Sequence, residues 1–362
     1  MPFFDTDTVS EGARNLWALT FGDGVSPQRR TEHTVLVDDP HRTLRRYGDP
    51  AGPPVLLVPP IAAPATCYDL SDEFSLVEHF RETGRTPYVV DFGEIGYADR
   101  GMGFEDFILD IIPEAIERVL ADAGAERVDL VAWSLGGTLS LLTAAVAGKR
   151  GDSSIRSVTA IATPLDYDAL FGYKQLRGLM RPTAGKAPLI PLRLLGGIPA
   201  PVVQIAYRST SLRRELRKPL FILQNLRNTD TLRRMEVINR FQRTFPGYPG
   251  KLTEQMWEQF IYRNRLRTGE VTFGELGVDL ADICVPVQLF GSHRDALCSW
   301  PAARHGFDVL TGAPRIEFET VESSHLGLLA GPDAVVHTWP VIDAFLNSVE
   351  GETAADLAKI DA

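Results

Sequence analysis

The sequence predicts an α/β fold, in which a mostly parallel sheet of eight strands has helices on both faces and carries an inserted helical cap. Three features predict it: short apolar runs typical of buried strands, helix-like segments between most of them, and one long interval in which strand signals nearly vanish. Short apolar strands that alternate with helices indicate a parallel sheet. The eight strand-like runs are residues 34–38, 43–48, 55–58, 86–92, 127–132, 157–163, 285–291 and 314–321.

The elements at the start of the chain have recognisable boundaries. The residues DDPHR join the first two runs and predict an antiparallel hairpin at one edge of the sheet. Residues 71–84 predict a helix, because Ser71 precedes acidic residues and a glycine closes the segment. Residues 104–124 carry apolar side chains at helical spacing on one face, and Pro113 predicts a kink in that helix.

The chain length of 362 residues exceeds the usual size of one domain but suits one α/β core with an insertion. Hydrophobic residues at 44% and charged residues at 23% are typical of a globular chain with a sizeable core. We predict that the core comprises residues 1–164 and 279–350 and that residues 165–278 form the cap. Residues 1–30 are predicted as an N-terminal extension and residues 351–362 as a C-terminal tail.

The cap differs from the rest of the chain in charge. Residues 174–267 contain nineteen Lys and Arg against five Asp and Glu, a net charge of +14, whereas the whole chain has −10 and the remainder therefore −24. A basic cap on an acidic protein favours an anionic partner. Arginine pairs such as Arg213 with Arg214 are candidates for such contacts, and the alternative is that these arginines are solvated helix faces.

Several classes of function find no support in the sequence. The N-terminal residues carry acids early and no basic region ahead of an apolar one, so we expect no secretory signal and a cytoplasmic location. The apolar stretch from Leu194 is too short and too broken by proline to span a bilayer, which predicts no transmembrane segment. Recognition-helix and base-stacking patterns are absent, so no nucleic-acid partner is expected.

The sequence also predicts a site that needs no metal and no cofactor. It contains neither a phosphate-cradling glycine motif nor a metal-spaced histidine pair. The three cysteines, Cys67, Cys284 and Cys298, are odd in number and irregularly spaced, which predicts reduced thiols that serve in packing. No pattern in the sequence indicates an oligomeric state.

Residues 127–139, RVDLVAWSLGGTL, pass from a buried strand into a helix at a serine. This context fits a nucleophile elbow, in which a strained turn lifts a serine hydroxyl out of the sheet. The turn needs small residues two before and two after the serine, and Ala132 and Gly136 meet that need around Ser134. The amide of Leu135 is the expected donor to a developing oxyanion. The alternative is an ordinary strand-to-helix turn that contains a serine.

A serine nucleophile needs a base, and the base needs an acid that orients it. His325 follows the last predicted strand and Asp295 follows the preceding one, so both are expected at the sheet edge that carries Ser134. The chain order serine, aspartate, histidine is the one this arrangement requires. We therefore predict these three as a catalytic triad and rank His293 below as a base and Asp91 below as an acid. A capping role for Asp295 and a loop hydrogen bond for His325 are the alternatives.

A second oxyanion donor is expected in the loop after residues 55–58, which reads VPPIAAP. Pro59 and Pro60 have no amide hydrogen, so Ile61 is the first residue able to donate and Ala62 is the next. The two prolines also suit a role in directing the chain out of the sheet.

Taken together, these segments resemble the polyhydroxyalkanoate synthase branch of the α/β-hydrolase fold. The resemblance runs from LLVPPIAAPATCYDL through YVVDFG, LVAWSLGGTL and VDLADICVPVQLFGSHRDALCSW to SSHLGLL, and it covers most of the core and the end of the cap. It implies that Ser134 is the nucleophile, Asp295 the acid and His325 the base. In this fold an insertion after the sixth strand covers the nucleophile and lines an acyl pocket.

The chain departs from that group at the nucleophile. Synthases of this group use cysteine in the elbow, whereas this chain has Ser134, and the first glycine of the elbow is replaced by Ala132. An acyl-serine ester favours ordinary ester transfer or hydrolysis over the holding of a growing polymer. We therefore predict a serine acyl hydrolase, that is, an esterase, lipase or thioesterase acting on a fatty or hydroxyacyl ester or thioester.

Two alternatives remain open: a synthase-like acyltransferase that uses acyl-CoA and a hydroxyl acceptor, and a non-catalytic acyl-binding relative. The apolar and basic residues of the cap suit an acyl-CoA-like substrate or an anionic lipid surface as partner.

Overall fold

The structure, a computed structural model, describes residues 6–22, 24–26, 31–209 and 212–360. The strands within these residues are β1 (Thr34–Val37), β2 (Thr43–Arg46), β3 (Pro54–Val58), β4 (Thr86–Asp91), β5 (Val128–Trp133), β6 (Ile155–Ile161), β7 (Gly197–Ile198), β8 (Tyr248–Pro249), β9 (Glu270–Phe273), β10 (Leu276–Asp279), β11 (Val287–Gly291) and β12 (Ile316–Thr320).

Eight of these strands form one sheet in the order β1-β2-β4-β3-β5-β6-β11-β12. β1 pairs antiparallel with β2, and β2 pairs antiparallel with β4, whereas all further neighbours are parallel. The predicted fold class, with its eight strands and its antiparallel edge hairpin, is thereby confirmed. The parallel strands end at one edge of the sheet, which is where such sheets bind ligands.

The helices are α1 (Thr6–Phe21), α2 (Leu76–Glu82), α3 (Phe104–Asp106), α4 (Ile112–Ala123), α5 (Leu135–Arg150), α6 (Tyr173–Met180), α7 (Leu189–Leu195), α8 (Ala200–Ser209), α9 (Leu212–Gln224), α10 (Thr229–Arg243), α11 (Gly250–Gln255), α12 (Trp300–Arg304), α13 (Gly306–Val309) and α14 (Trp339–Ile360). Among the described residues, no helix is both long enough and apolar enough to cross a membrane.

The start predicted for the first core helix is wrong by one turn. Helix α2 begins after Ser75, whose Oγ accepts a hydrogen bond from the Glu78 amide at 3.2 Å. Ser71 instead closes a turn, in which its carbonyl accepts from the Phe74 amide at 2.9 Å. Both serines carry a hydroxyl suited to capping, but only Ser75 has extended backbone directly before the helix.

The predicted helix over residues 104–124 is interrupted by a wider, π-helical turn at Phe107–Ile111. Pro113 lies in the first turn of helix α4, directly after this interruption. Because proline has no amide hydrogen, the regular hydrogen-bond ladder cannot run through this position. Gly124, at a φ of 61°, ends the helix as the sequence predicts.

The centre of the sheet is buried on both faces. Every residue of β3 and β5 is buried, as expected for parallel strands covered by helices. Helix α5 follows β5 directly and is buried on all sides from Leu135 to Ala147. A helix that is buried on all sides belongs to the core, so the segment that follows the elbow is part of the core.

Residues 165–278, the predicted cap, contain helices α6 to α11 and two small sheets, β7 with β8 and β9 with β10. The sequence gives almost no strand signal there, because strands of two to four residues are too short to form a recognisable run. The side chains of Arg213 and Arg214 lie outside the described part of the chain.

The two ends of the chain are joined to the rest of the protein. Within the extension 1–30, Asn15 Nδ2 donates to the Leu226 carbonyl and to Thr229 Oγ1, both at 2.9 Å, and Glu236 Oε2 accepts from the amides of Val25 and Ser26. The residues predicted as a C-terminal tail, 351–362, continue helix α14 as far as its end, and residues 361 and 362 lie outside the described part.

All three cysteines are free thiols, as the sequence predicts. Cys67 and Cys298 are buried, whereas Cys284 is exposed, so the predicted packing role is wrong for Cys284. It directly precedes residues 285 and 286 on the way into β11, in a loop that the sheet does not cover.

Candidate active site

The elbow after β5 has the backbone conformation that a protruding nucleophile requires. Ser134 has a φ of 54° and a ψ of −124°, a region that residues with a side chain rarely occupy. Its amide is tied to the Ile161 carbonyl on the neighbouring strand at 2.8 Å. A Cβ at Gly136 would come within 2.2 Å of the Val58 carbonyl oxygen, and one at Gly137 within 1.9 Å of Thr163 Oγ1. Both glycines are therefore required by the close approach of helix α5 to its neighbours.

The structure brings Ser134, His325 and Asp295 together at the carboxyl edge of the sheet. His325 Nε2 lies 3.0 Å from Ser134 Oγ, and His325 Nδ1 lies 2.7 Å from Asp295 Oδ2. The histidine is buried and the Asp295 carboxylate is completely shielded from solvent. This is a continuous hydrogen-bonded relay from a hydroxyl through an imidazole to a carboxylate, the geometry needed to activate a serine.

The carboxylate is held by its own loop. Asp295 Oδ1 accepts from the amides of Leu297 and Cys298 at 2.8 and 2.9 Å, which leaves Oδ2 directed at the imidazole. Since its acceptor sites are used by these N–H donors, the buried Asp295 avoids the cost of an unpaired charge.

The loop that carries the histidine is braced by serines and by a tryptophan. Ser292 Oγ donates to the Ser323 carbonyl at 2.7 Å, and Ser323 Oγ donates to Asp333 Oδ2 at 2.7 Å. Trp133 Nε1 donates to the His325 carbonyl at 3.1 Å, and its ring lies 5.1 Å from the imidazole, centroid to centroid. Sequence reasoning missed Trp133, because its partner lies 192 positions away. The available signal in the sequence is its position as the last residue of β5, directly before Ser134.

The two residues ranked lower in the sequence lie elsewhere. The side chain of His293 is 61% exposed and its Nδ1 contacts Glu322 Oε1 at 2.5 Å. Asp91 pairs with Arg45 Nη1 at 2.6 Å and accepts from the Gly93 amide. Neither touches the hydroxyl of the elbow, so both have structural partners instead.

Backbone amides surround the serine on two sides. Leu135, at the start of α5, lines the same cavity as Ser134. In the loop after β3, the Ala63 amide donates to the Pro60 carbonyl at 3.2 Å, which leaves the amides of Ile61 and Ala62 as the donors available in this described turn. Ala62 lines the cavity, whereas Ile61 is buried beside it without lining it. Ile61 therefore stays a prediction, and Ala62, the next residue able to donate, is the one of the two that lines the cavity.

A cavity of about 420 Å³ opens beside Ser134. Its walls are mostly apolar and combine residues from the core with residues from the cap, including Val203, Ala206 and Phe245. Four tyrosines also line it, and burial raises the pKa of each phenol, so all four stay neutral hydrogen-bonding groups in the physiological range. They are Tyr167, Tyr173, Tyr207 and Tyr248.

Cys298 is the other nucleophilic side chain on the cavity wall. Burial, and secondly the nearby charge of Asp295, raise the pKa of this thiol well above its usual range. Its sulfur contacts the Ser299 carbonyl at 3.9 Å rather than a histidine. The described residues contain no group of three or more side chains able to hold a metal ion.

Comparison with known proteins gives the same fold. A family profile described as "alpha/beta hydrolase fold" matches residues 53–199. Among solved structures, alpha/beta hydrolase domain-containing protein 10 from mouse superposes with a TM-score of 0.52 at 14% identity, covering 88% of this chain and 99% of that one. DcsB, in complex with its substrate analogue, also gives 0.52, at 15% identity, covering 86% of this chain and 94% of that one.

In sequence, the chain is similar to poly(3-hydroxyalkanoate) polymerase subunits PhaC. The Allochromatium vinosum protein is 23% identical over 94% of this chain and 94% of its own length. The Cupriavidus necator protein is 27% identical over 78% of this chain, but this chain spans only about half of it, 47%.

The sheet order, the backbone of the elbow and the profile match identify an enzyme of the α/β-hydrolase superfamily, and they support an acyltransferase-like or hydrolase-like function. Within that superfamily the chain resembles the polyhydroxyalkanoate synthases, since it is similar to these polymerases over most of its length. The resemblance predicted from the sequence is confirmed.

Proposed function

We propose that this protein is a synthase-like acyltransferase, which takes an acyl group from an acyl-CoA-like thioester onto Ser134 and passes it to a hydroxyl acceptor. The observation that carries the proposal is the hydrogen-bond chain from Ser134 through His325 to Asp295, which opens into an apolar cavity. The named relatives favour transfer over the hydrolysis predicted from the sequence, since all of those cited are polymerases.

In the first half of the reaction, Ser134 Oγ attacks the acyl carbonyl while its proton passes to His325 Nε2. Asp295 holds Nδ1–H and stabilises the imidazolium that forms. The amides of Leu135 and Ala62 donate to the oxyanion of the tetrahedral intermediate. The carbon–sulfur bond then breaks, and the departing thiolate takes the proton from Nε2, which leaves an ester on Ser134.

In the second half, the acceptor hydroxyl gives its proton to Nε2 and its oxygen attacks the Ser134 ester. The bond between the acyl carbon and Oγ breaks, and Oγ recovers the proton. Because the proton taken from Ser134 leaves with the thiol and the acceptor's proton ends on Oγ, the imidazole is neutral again at the end of the cycle. The mostly apolar lining of the cavity suits an apolar acceptor beside the ester.

Ser134 is a better nucleophile here than Cys298, although relatives of this kind are expected to use cysteine. The Cys298 thiol is neutral because of its raised pKa, and only a thiolate is a good nucleophile. It also lacks the imidazole contact that Ser134 has at 3.0 Å. The attacking group is therefore the hydroxyl.

Hydrolysis is the second candidate function, and one observation favours it. The observation is that serine stands in the elbow where the synthases have cysteine. Passing an acyl group from an oxygen ester on Ser134 to another hydroxyl exchanges one ester for another, so it lacks the driving force that a thioester on cysteine supplies, whereas hydrolysis of the same ester is downhill. The two functions differ only in what resolves the acyl-enzyme.

Intact-protein mass spectrometry after incubation with hydroxyacyl-CoA tests the intermediate. We expect one acyl adduct, mapped to Ser134 and absent in Ser134→Ala, while the exposed control Ser153→Ala keeps it. An adduct that survives Ser134→Ala refutes the nucleophile. If no acyl donor forms an adduct and Ser134 does not react with a fluorophosphonate, the protein is a non-catalytic acyl-binding relative.

Product analysis with and without an alcohol acceptor separates transfer from hydrolysis. Transfer predicts that the new ester exceeds the free acid when acceptor is present, and free acid alone assigns hydrolysis. In Ser134→Cys the intermediate becomes a thioester, so we expect the ratio of ester to acid to rise by about tenfold or more, a change of about 1.4 kcal/mol in relative barrier height.

A further inference from the structure

Helix α8 carries apolar residues both toward the cavity and toward solvent. Val203, Ala206 and Tyr207 line the cavity beside Ser134. Val202 and Ile205 are 50% and 67% exposed to solvent. A surface helix normally has a polar outer face, so a helix with apolar residues outside as well as inside needs a second apolar environment.

The two helices before α8, α6 and α7, also expose apolar side chains to solvent. Leu179 of α6 and Ile190 and Leu194 of α7 are each more than 60% exposed. Ile190 and Leu194 are four residues apart and therefore lie on one face of α7. Exposed apolar residues thus recur on three successive helices of the cap, far more than scattered surface leucines would give.

The charged side chains in residues 173–209, which include helices α6, α7 and α8, are all basic. Residues 173–209 contain six Lys and Arg and no Asp or Glu. Arg177 and Arg193 find acidic partners outside the segment, in Asp168 and Glu254. Lys174, Arg181 and Lys186 make no ion pair among the described residues. Below, the basic apolar face denotes Leu179, Ile190, Leu194, Val202 and Ile205 together with Lys174, Arg181 and Lys186.

We propose that the basic apolar face docks on the surface of an anionic lipid bilayer. Exposed Leu, Ile and Val side chains interleaved with lysine and arginine are the combination that binds at the boundary of headgroups and acyl chains. The apolar side chains enter the acyl boundary, and the cations meet the phosphates of the headgroups.

A second copy of the chain fits this face less well. In a two-fold symmetric dimer the same patch meets itself, which would bring two basic segments into contact. Repulsion between like charges disfavours that contact, whereas an anionic bilayer neutralises them. Charge complementarity therefore selects the lipid.

Docking in this orientation sets α8 between the bilayer and the acyl cavity. One helix then contacts lipid through Ile205 and forms the cavity wall through Val203 and Tyr207. Apolar substrates dissolved in the bilayer would meet the protein at a wall of the cavity that Ser134 also lines. Binding itself needs no catalysis, so its test is independent of the proposed reaction.

Vesicle flotation tests the docking directly. The full chain is mixed with vesicles of phosphatidylcholine alone, or of phosphatidylcholine with about a third phosphatidylglycerol, at ~0.15 M and ~1 M salt. We expect binding to the anionic vesicles at the lower salt, little binding to the neutral ones, and a marked loss at the higher salt. Absence of binding to anionic vesicles overturns the proposal.

Variants map the contact to the face. Ile205→Asp combined with Leu194→Asp is expected to weaken binding more than tenfold, and each of Lys174→Gln, Arg181→Gln and Lys186→Gln about fivefold. The control is Val336→Asp, an equally exposed apolar residue outside the cap, which should bind as the parent does. Circular dichroism and thermal unfolding verify that each variant is folded, without reference to the proposed reaction.

Two results would assign the face differently. The first is an equal loss of vesicle binding in the control Val336→Asp and in the double variant Ile205→Asp with Leu194→Asp. It would mean that binding is not located at this face. A concentration-dependent dimer in size-exclusion chromatography that dissolves in Ile205→Asp, without vesicle binding by the parent, would assign the face to a second copy and refute lipid docking.

Discussion

Replacing Gly136 by alanine tests the close packing that presents the nucleophile. The new Cβ would lie 2.2 Å from the Val58 carbonyl oxygen and 2.7 Å from that of Pro59, about 1 Å closer than ordinary contact. Both obstacles are backbone atoms, and the Val58 carbonyl also accepts a hydrogen bond from the Tyr68 hydroxyl at 2.7 Å. Relief requires a shift of helix α5 or β3, which we expect to cost about 3 kcal/mol.

The thermal midpoint converts that cost into a measurable shift. An unfolding entropy of roughly 2 cal/mol/K per residue over this chain turns about 3 kcal/mol into a fall in Tm of about 4 °C. The matched control is Gly178→Ala, an exposed position in α6 where a Cβ meets nothing within 4 Å. Since alanine is the better helix former by about 1 kcal/mol, this control should raise Tm by about 1 °C.

Scanning calorimetry and fluorophosphonate labelling together decide the outcome for Gly136→Ala. Because the shift would move Ser134 relative to His325, we expect labelling to slow by at least tenfold, beyond what the loss of stability explains. Unchanged Tm and unchanged labelling in Gly136→Ala would refute the close approach of α5 to β3, and with it the account of the elbow.

The remaining predictions concern Trp133 and the thiols. Trp133→Phe keeps an aromatic ring but removes the N–H that donates to the His325 carbonyl. We therefore expect kcat to fall about tenfold with KM nearly unchanged. An unchanged kcat would assign Trp133 to packing alone. Iodoacetamide at pH 8 should label the exposed Cys284 and spare the buried Cys298. The reason is that burial raises the pKa of the Cys298 thiol and only thiolates react. Mass mapping that finds Cys298 labelled would contradict this prediction. The raised pKa also contributes stability that is present below the ordinary thiol value of about 8.5 and is lost as pH rises beyond it.

Strands are the part of this fold that the sequence predicts best. Residues of β3 and β5 form short, continuous apolar runs because both faces of the strand are buried, and such runs differ clearly from the amphipathic helices around them. Local signals specify boundaries less well. Ser71 and Ser75 are chemically equivalent caps, and only the path of the chain decides that Ser75 begins α2.

The candidate site likewise has features that the sequence predicts and features that it does not. The positions of Ser134, Asp295 and His325 follow from chain order, since each comes directly after a strand that ends at the same edge. The contact of Trp133 with the His325 carbonyl depends on packing between distant segments, for which no pattern in the sequence exists. The same holds for the choice between Ile61 and Ala62 as oxyanion donor, which depends on how a turn of a few residues faces the cavity.

Core and cap therefore carry different parts of the chemistry. The relay is built on loops that follow core strands, and its bracing by Ser292, Ser323 and Asp333 belongs to the core as well. The cavity walls, in contrast, depend on cap residues such as Val203 and Tyr248, which come from short helices and a two-residue strand. Because such short elements accept substitution without disturbing the sheet, changes of acyl chain or acceptor among relatives are expected in the cap, while the means of activating the nucleophile stays with the core.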